Sequence, residues 1–357
     1  MGASERLQLT QLLSVVRTVP AEADTHWVEY PMFTSIIVPL DGSSLADPAL
    51  RLALAVAQRV NAPVELVHVY APTRQTLGAP VRDPACIEEE RGRLRERFAA
   101  LATRLDITRN VLVTATVLDG EPAEALCRHT TDRRSALIVM ATHGLGGRSR
   151  EWIGNVADAV VRWSHAPVLL VHPGAVGHAE ATGPLFRRVL VPLDGSELAE
   201  SVLAHALALG DAAAGVQEAT AFELLTVVHS RSGYRHSSPN GRPARDQEAG
   251  DPRGTVGDAE RYLAHLATEL ERCGTRVYWR IVAHTHTAHA ILEHARTTSA
   301  DLIALSTHGC GGRRRRLAHS VTDEIMLGAS MPILICHPDT NTAAAASRRH
   351  PAIRRLA

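Results

Sequence analysis

Residues 137–171 read LIVMATHGLGGRSREWIGNVADAVVRWSHAPVLLV. Residues 137–141 form an apolar run that reads as a buried parallel strand. The Gly-rich, Arg-containing loop 142–153 leaves its C-terminal end. Gly154, Asn155 and Val156 read as a helix start, and Pro167 opens a further apolar strand over 168–171. Strand, glycine loop and helix start together suit phosphate. Backbone N–H groups point outward, the helix dipole favours an anion, and glycine permits close approach. For Gly144, Gly147 and Gly154 the competing reading is turn geometry alone. For Arg148 and Arg150 it is a solvated loop face rather than charge neutralisation of a phosphate.

The arrangement occurs twice. Residues 302–336 read LIALSTHGCGGRRRRLAHSVTDEIMLGASMPILIC. Thr142-His143-Gly144 returns as Thr307-His308-Gly309, and Ala166-Pro167-Val168-Leu169 returns as Met331-Pro332-Ile333-Leu334. Strands must carry these loops. Residues 35–40 (SIIVPL) read as the first, followed by Asp41-Gly42-Ser43, with Ser43 or Ser44 as cap of a helix from about 45 to 60. Residues 64–70 read as the second strand, 87–105 as a charged helix and 110–118 as the third strand. Gly120-Glu121-Pro122 starts the next helix. Strand and helix alternate throughout, which implies a parallel sheet covered on both faces.

Residues 188–193 with Asp194-Gly195-Ser196 repeat this opening, and 223–228 repeat the second strand. A helix over 258–272, a strand over 276–283 and a helix from Thr287 complete the second unit. The offset between repeats is 153 residues at Pro39 and Pro192 and 165 at Thr142 and Thr307. The Ser-, Gly- and Pro-rich insertion 230–257 supplies the difference. The organisation is therefore an N-terminal extension (1–31), a first domain (32–173), a linker (174–185), a second domain (186–338) and a disordered basic tail (339–357).

Composition bounds the function. Apolar residues make up 45% of the 357, yet aromatics only 4%, so the core is aliphatic. Formal net charge is zero, which removes a global electrostatic case for nucleic acid or an anionic membrane. Every base is Arg, and the absence of Lys excludes a Walker-type loop. Five scattered Cys without CxxC spacing point to a reducing cytoplasm. No stretch is apolar and long enough for a signal peptide or a membrane span.

The VPLDGS opening, the THG block, the glycine loop and the closing PVLLVHP strand together resemble the universal stress protein family, over about 32–173 and 186–338. The resemblance implies two tandem five-stranded parallel α/β domains, Rossmann-like and akin to adenine nucleotide α-hydrolases. It also implies pairing through the last strand, here within one chain, and leaves room for a homodimer. Some members bind ATP through a G-x2-G-x9-G-[ST] pattern. The first repeat carries Ala141-x2-Gly144-x9-Gly154-Asn155. Ala141 adds a methyl, and Asn155 exchanges a hydroxyl for an amide. The second carries Ser306-x2-Gly309-x9-His319-Ser320, with His319 in place of the third glycine.

The resemblance assigns ATP, with Mg2+, to the first repeat. The implied site is Pro39, Leu40, Asp41, Val69, Met140, Ala141, His143, Gly144, Gly147, Arg148, Gly154, Asn155 and Val156. A weaker second site comprises Pro192, Asp194, Val227, Leu305, Ser306, Gly309, Ser320 and Val321. Asp41 and Asp194 would touch the adenosine portion; the alternative is a carboxylate capping the turn. His143 and His308 serve either a structural hydrogen bond or catalysis. Arg313–316 grips phosphates or an acidic partner, or is a solvated loop.

His284, His286 and His289 invite a metal reading, but no acidic or Cys partner is spaced to complete a site, so none is expected. No nucleophile–base–orienter trio is evident, so turnover beyond slow ATP hydrolysis is not expected. The leading expectation is a cytoplasmic stress-response module that binds adenine nucleotide. The runner-up is a nucleotide-independent interaction or scaffold protein with degenerate loops. The third is an enzyme of the α-hydrolase group.

Overall fold

The computed structural model describes residues 33–71, 83–131, 133, 135–143, 153–172, 184–211, 220–229, 256–272, 275–307 and 320–337. The expectations for the N-terminal extension, for most of the linker and of the 230–257 insertion, and for the tail fall outside these residues. Within the insertion, residues 256 and 257 already belong to a helix.

In the first half the elements are β1 (Ser35–Pro39), a short 3-10 turn (Ser44–Ala46), α1 (Asp47–Val60), β2 (Val64–Tyr70), α2 (Pro84–Arg109), β3 (Val113–Asp119), α3 (Pro122–Thr130), β4 (Ala136–Ala141), α4 (Asn155–Trp163) and β5 (Val168–Val171). The second half has β6 (Arg188–Pro192), α5 (Glu197–Glu200), α6 (Leu203–Asp211), β7 (Ala221–Val228), α7 (Val256–Arg272), β8 (Arg276–Ala283), α8 (Thr287–Thr297), β9 (Leu302–Ser306), α9 (Val321–Gly328) and β10 (Ile333–Cys336).

Strand order across the sheet is β3-β2-β1-β4-β5-β10-β9-β6-β7-β8. Each half is five parallel strands in the same order, and the halves meet where β5 and β10 run antiparallel. Leu169 faces Leu334 there, flanked by Val168 against Ile335 and Leu170 against Ile333. Ile36, Ile37 and Val38 of β1 are all fully buried, as a parallel strand covered on both faces requires. Side chains alternate between two aliphatic cores, one on each side of the sheet. Leu169 and Leu334 belong to one, Val168, Leu170, Ile333 and Ile335 to the other. Both cores therefore run across the junction between the halves.

A carboxylate, half-buried in the first half and buried in the second, ties a helix to the sheet in each half. Glu65 of β2 accepts from Thr116 at 2.6 Å, lies 3.1 Å from His129 of α3, and pairs with Arg133. Glu223 of β7 lies 2.6 Å from His294 of α8 and 3.3 Å from Arg188. At the junction, Arg162 of α4 bridges Asp158 of its own helix and Asp323 of α9, each at 2.9 Å. The His337 ring, just after β10, lies 3.1 Å from the Thr307 carbonyl and reaches the Val161 carbonyl of α4.

Several local expectations change. Ser43 does not cap a helix: its hydroxyl donates to Asp41, and α1 begins only at Asp47 with Pro48 in its first turn. Helix α2 extends beyond the expected 87–105. The Asp83 carboxylate accepts from the Ala85 N–H at its start, and Asn110 closes its end at φ 51°. That extension shortens β3, which begins at Val113 rather than at 110.

Candidate functional site

Strand β1 lies between β2 and β4, so the connections leaving β1 and β4 depart in opposite senses. In an open α/β sheet this reversal opens a crevice at the carboxyl ends of those strands. Pro39 ends β1, and Leu40 and Asp41 follow it; Val69 lies near the end of β2. Met140 and Ala141 end β4, and His143 lies just beyond. Asn155 and Val156 open α4, with Gly154 as its N-cap. The structure thus gathers every described residue of the first predicted set around one crevice. Gly144, Gly147 and Arg148 lie outside the described residues.

Two backbone bonds shape the crevice floor. The Thr142 N–H donates to the Val171 carbonyl at 3.0 Å, and the Gly154 N–H donates to the Thr142 carbonyl at 2.8 Å. The second bond sets the start of α4 against the end of β4. A Cβ at position 154 would sit 3.2 Å from the Thr142 carbonyl oxygen. Glycine at 154 thus answers to its own backbone, independently of any ligand. Among the described residues no side chain caps the start of α4, whose N-cap is Gly154.

The carboxylates of Asp41 and Asp194 hold turns. Asp41 Oδ1 accepts from the Ser43 N–H (2.9 Å) and hydroxyl (2.7 Å), around Gly42 at φ +86°. Asp194 does the same with Ser196 at 3.0 and 2.6 Å, around Gly195 at φ +82°. Of the two expectations for these residues, the structure displays turn capping. Beside the turn, a cavity of about 550 Å³ lies between α1 and α2, lined by Gly42, Ser43, Arg97, Phe98 and Arg104 among others. Leu40 is shared between this cavity and the crevice set, but no residue of β4 or α4 lines the cavity.

His143 joins a cluster that sequence reasoning missed. The buried Thr142 hydroxyl lies 2.9 Å from His143 Nδ1 and 3.4 Å from His172 Nδ1. The two rings are 6.3 Å apart, and Nε2 of His143 is buried with no hydrogen-bond partner among the described residues. Burial pushes the His172 imidazole below its ordinary range. The Met326 main chain opposes that shift and His143 adds to it. A signal for His172 was present: a His follows the last strand in both repeats, as His172 and His337.

The second crevice is built differently. Pro192 and Asp194 lie at the end of β6, Val227 near the end of β7, and Leu305 and Ser306 at the end of β9. The Ser306 hydroxyl is 2.8 Å from that of Ser201. Ser320 accepts from the Asp323 N–H at 3.1 Å, while the Asp323 carboxylate accepts from the Ser320 N–H at 3.2 Å. This reciprocal capping box takes up the N–H groups of Ser320 and Asp323 at the start of α9. Asp323 and Glu324 add negative charge to that turn, and Val321 is exposed. Gly309, His308 and Arg313–316 lie outside the described residues.

A third cluster corrects the sequence reading. His284 and His289 do have an acidic partner, Glu293, one helical turn beyond His289 on α8.

The strand order and the crevice at its reversal define a class: tandem open-sheet α/β modules with a crevice at the strand ends. The Universal stress protein family model matches residues 32–172 and 185–337. The chain belongs to the universal stress protein family. It is 26% identical over 309 residues to a universal stress protein of Mycolicibacterium smegmatis, covering 85% of this chain and 97% of the relative. A universal stress protein of Thermus aquaticus is 34% identical over 140 residues, 39% of this chain and 99% of the relative. Among solved structures, a universal stress protein from Archaeoglobus fulgidus superposes with TM-score 0.64 at 17% identity, covering 86% of this chain and 99% of that one. That likeness bears on the fold alone. Among the described residues no helix is long and apolar enough to cross a membrane.

Proposed function

We propose that this protein is a stress-response regulatory module that binds an adenine nucleotide, ATP with Mg2+, in the first crevice. It acts by binding rather than by substantial turnover, in the cytoplasm, with its two repeats paired inside one chain. The observation that carries the reading is the contrast between two equivalent helix starts. Among the described residues no side chain caps the α4 start, which Gly154 holds against the β4 end, whereas the α9 start is occupied by Ser320 and Asp323. An open helix N-terminus offers amide donors and a favourable dipole to a phosphate; a start closed by a capping box offers fewer donors, and two acids in the α9 first turn against one in that of α4, Asp158, oppose an anion more strongly. The near-complete glycine pattern from Ala141 to Asn155 supports the same choice.

The closed second start favours a different role for the second half, in which it contributes surface rather than a nucleotide. That is the scaffold reading, confined to one repeat.

Titration calorimetry with ATP and Mg2+ tests the proposal. The close contact at 154 makes Gly154→Val a poor probe, since it strains the backbone whether or not ATP binds. Asn155→Asp is better. An acid in the first turn stabilises a helix start, yet it repels phosphate. We expect about one ATP per chain and, in N155D, an affinity reduced at least about tenfold with no loss of thermal stability. Two sites per chain would reject the asymmetry. No heat and no thermal shift at millimolar ATP would reject nucleotide binding.

A further inference from the structure

At the end of β8 the chain passes through His284-Thr285-His286 into α8. The His284 N–H donates to the Val228 carbonyl at 3.0 Å, which anchors this turn to β7. His289 lies in the first turns of α8, and Glu293 follows four residues later on the same face. The His284 and His289 rings are 5.4 Å apart, and His289 Nε2 is 3.9 Å from Glu293 Oε2. One ligand atom from each of His284, His289 and Glu293 lies within 4.8 Å of the other two.

The geometry points to a binding site for one divalent transition-metal ion of the Zn2+ type, held by His284, His289 and Glu293. Two imidazoles and a carboxylate suit Zn2+, Co2+ or Ni2+; Mg2+ prefers an oxygen shell with several waters. The His284 ring is held by backbone groups of His286. Its Nδ1 lies 2.8 Å from the His286 N–H and 2.9 Å from the His286 carbonyl, so the His286 backbone engages that nitrogen in either tautomer. With the proton on Nδ1 donated to the carbonyl, Nε2 is free for metal. Backbone support of this kind fixes ring orientation in protein metal sites.

Tetrahedral coordination at Zn–N and Zn–O bond lengths places ligand atoms about 3.3 Å apart. The side chains of His289 and Glu293 are each 62% exposed, so they can close that gap without moving the core. Three protein ligands leave a fourth position for water or an anion. The first half carries Asp119-Gly120-Glu121-Pro122 at the matching turn, so the site exists once per chain.

The test uses the full chain without a histidine tag, stripped of metal and titrated with Zn2+ against a chromophoric chelator. Background binding is a concern in a chain with 19 His, so His289→Ala and Glu293→Gln are compared with the parent. We expect one tight equivalent in the parent and a fall in affinity of at least about tenfold in each variant, a scale that loss of a mere supporting contact can reach. The visible absorption of the Co2+ form should disappear in both variants, Mg2+ should not compete, and the metal-free thermal transition should stay in place. Equal Zn2+ affinity in parent and variants, or displacement by equimolar Mg2+, would overturn the proposal. Neither variant touches the first crevice, so ATP titration of both is expected to match the parent.

Discussion

Glu65 shows how one side chain couples stability to pH. Burial alone would raise its pKa, but hydrogen bonds from His129 and Thr116, the His129 charge and the Arg133 hydrogen bond outweigh that and lower it from 4.5 to about 2. The folded value lies below the unfolded one, so the stabilisation is present above pH 4.5 and is lost as pH falls towards 2. We expect Glu65→Gln to lower stability at pH 7 and to flatten the acid limb of a urea-midpoint profile between those values. An unchanged acid limb would show that the pair does not act this way. Residue identity was legible in the sequence, whereas side-chain direction was not. The Asp-Gly-Ser turns could be read at Asp41 and Asp194, yet only geometry shows each carboxylate turned back onto its own serine. Glu293 was overlooked for a related reason. Read on the strand period of two, HTHTAH has no acid in phase; on the helical turn of α8, Glu293 shares a face with His289.

Elements were read well where periodicity is strong and less well at their ends. The aliphatic strands and their alternation with helices follow from Ile, Val and Leu runs that can only be buried on both faces. Boundaries moved where a local cap decided them, as at Asp83 and Asn110, or where an expected cap turned elsewhere, as at Ser43. Packing between elements produces one reversal of a usual rule. Gly210 lies within α6, where alanine normally gains about 1 kcal/mol. A Cβ there would meet the ring of the buried Phe222 at 2.5 Å and the Thr220 methyl at 3.2 Å. Overpacking of a closed site costs about 1–3 kcal/mol and should win. We therefore expect Gly210→Ala to destabilise the protein by up to about 2 kcal/mol net, read from chemical denaturation. A gain in stability would show that Phe222 has room to move.

At the scale of the molecule, the sheet and both aliphatic cores continue from one half into the other through β5 and β10. Such continuity should make the halves unfold together. Calorimetry is expected to give a single thermal transition, and replacing Leu334 by Asp at the centre of the junction should divide or broadly lower it. Two separated transitions in the parent chain would show that the junction carries little coupling. The tandem plan was legible because whole motifs recur at fixed offsets. The inequality of the two helix starts was not, because Ser320 and Asp323 reveal their capping box only once the start of α9 is located. A fused pair holds its halves at fixed one-to-one stoichiometry and at a local concentration that dilution cannot change. Two identical subunits must share every mutation. Halves written separately in one gene need not, so one can drift into a new role while the other keeps the old.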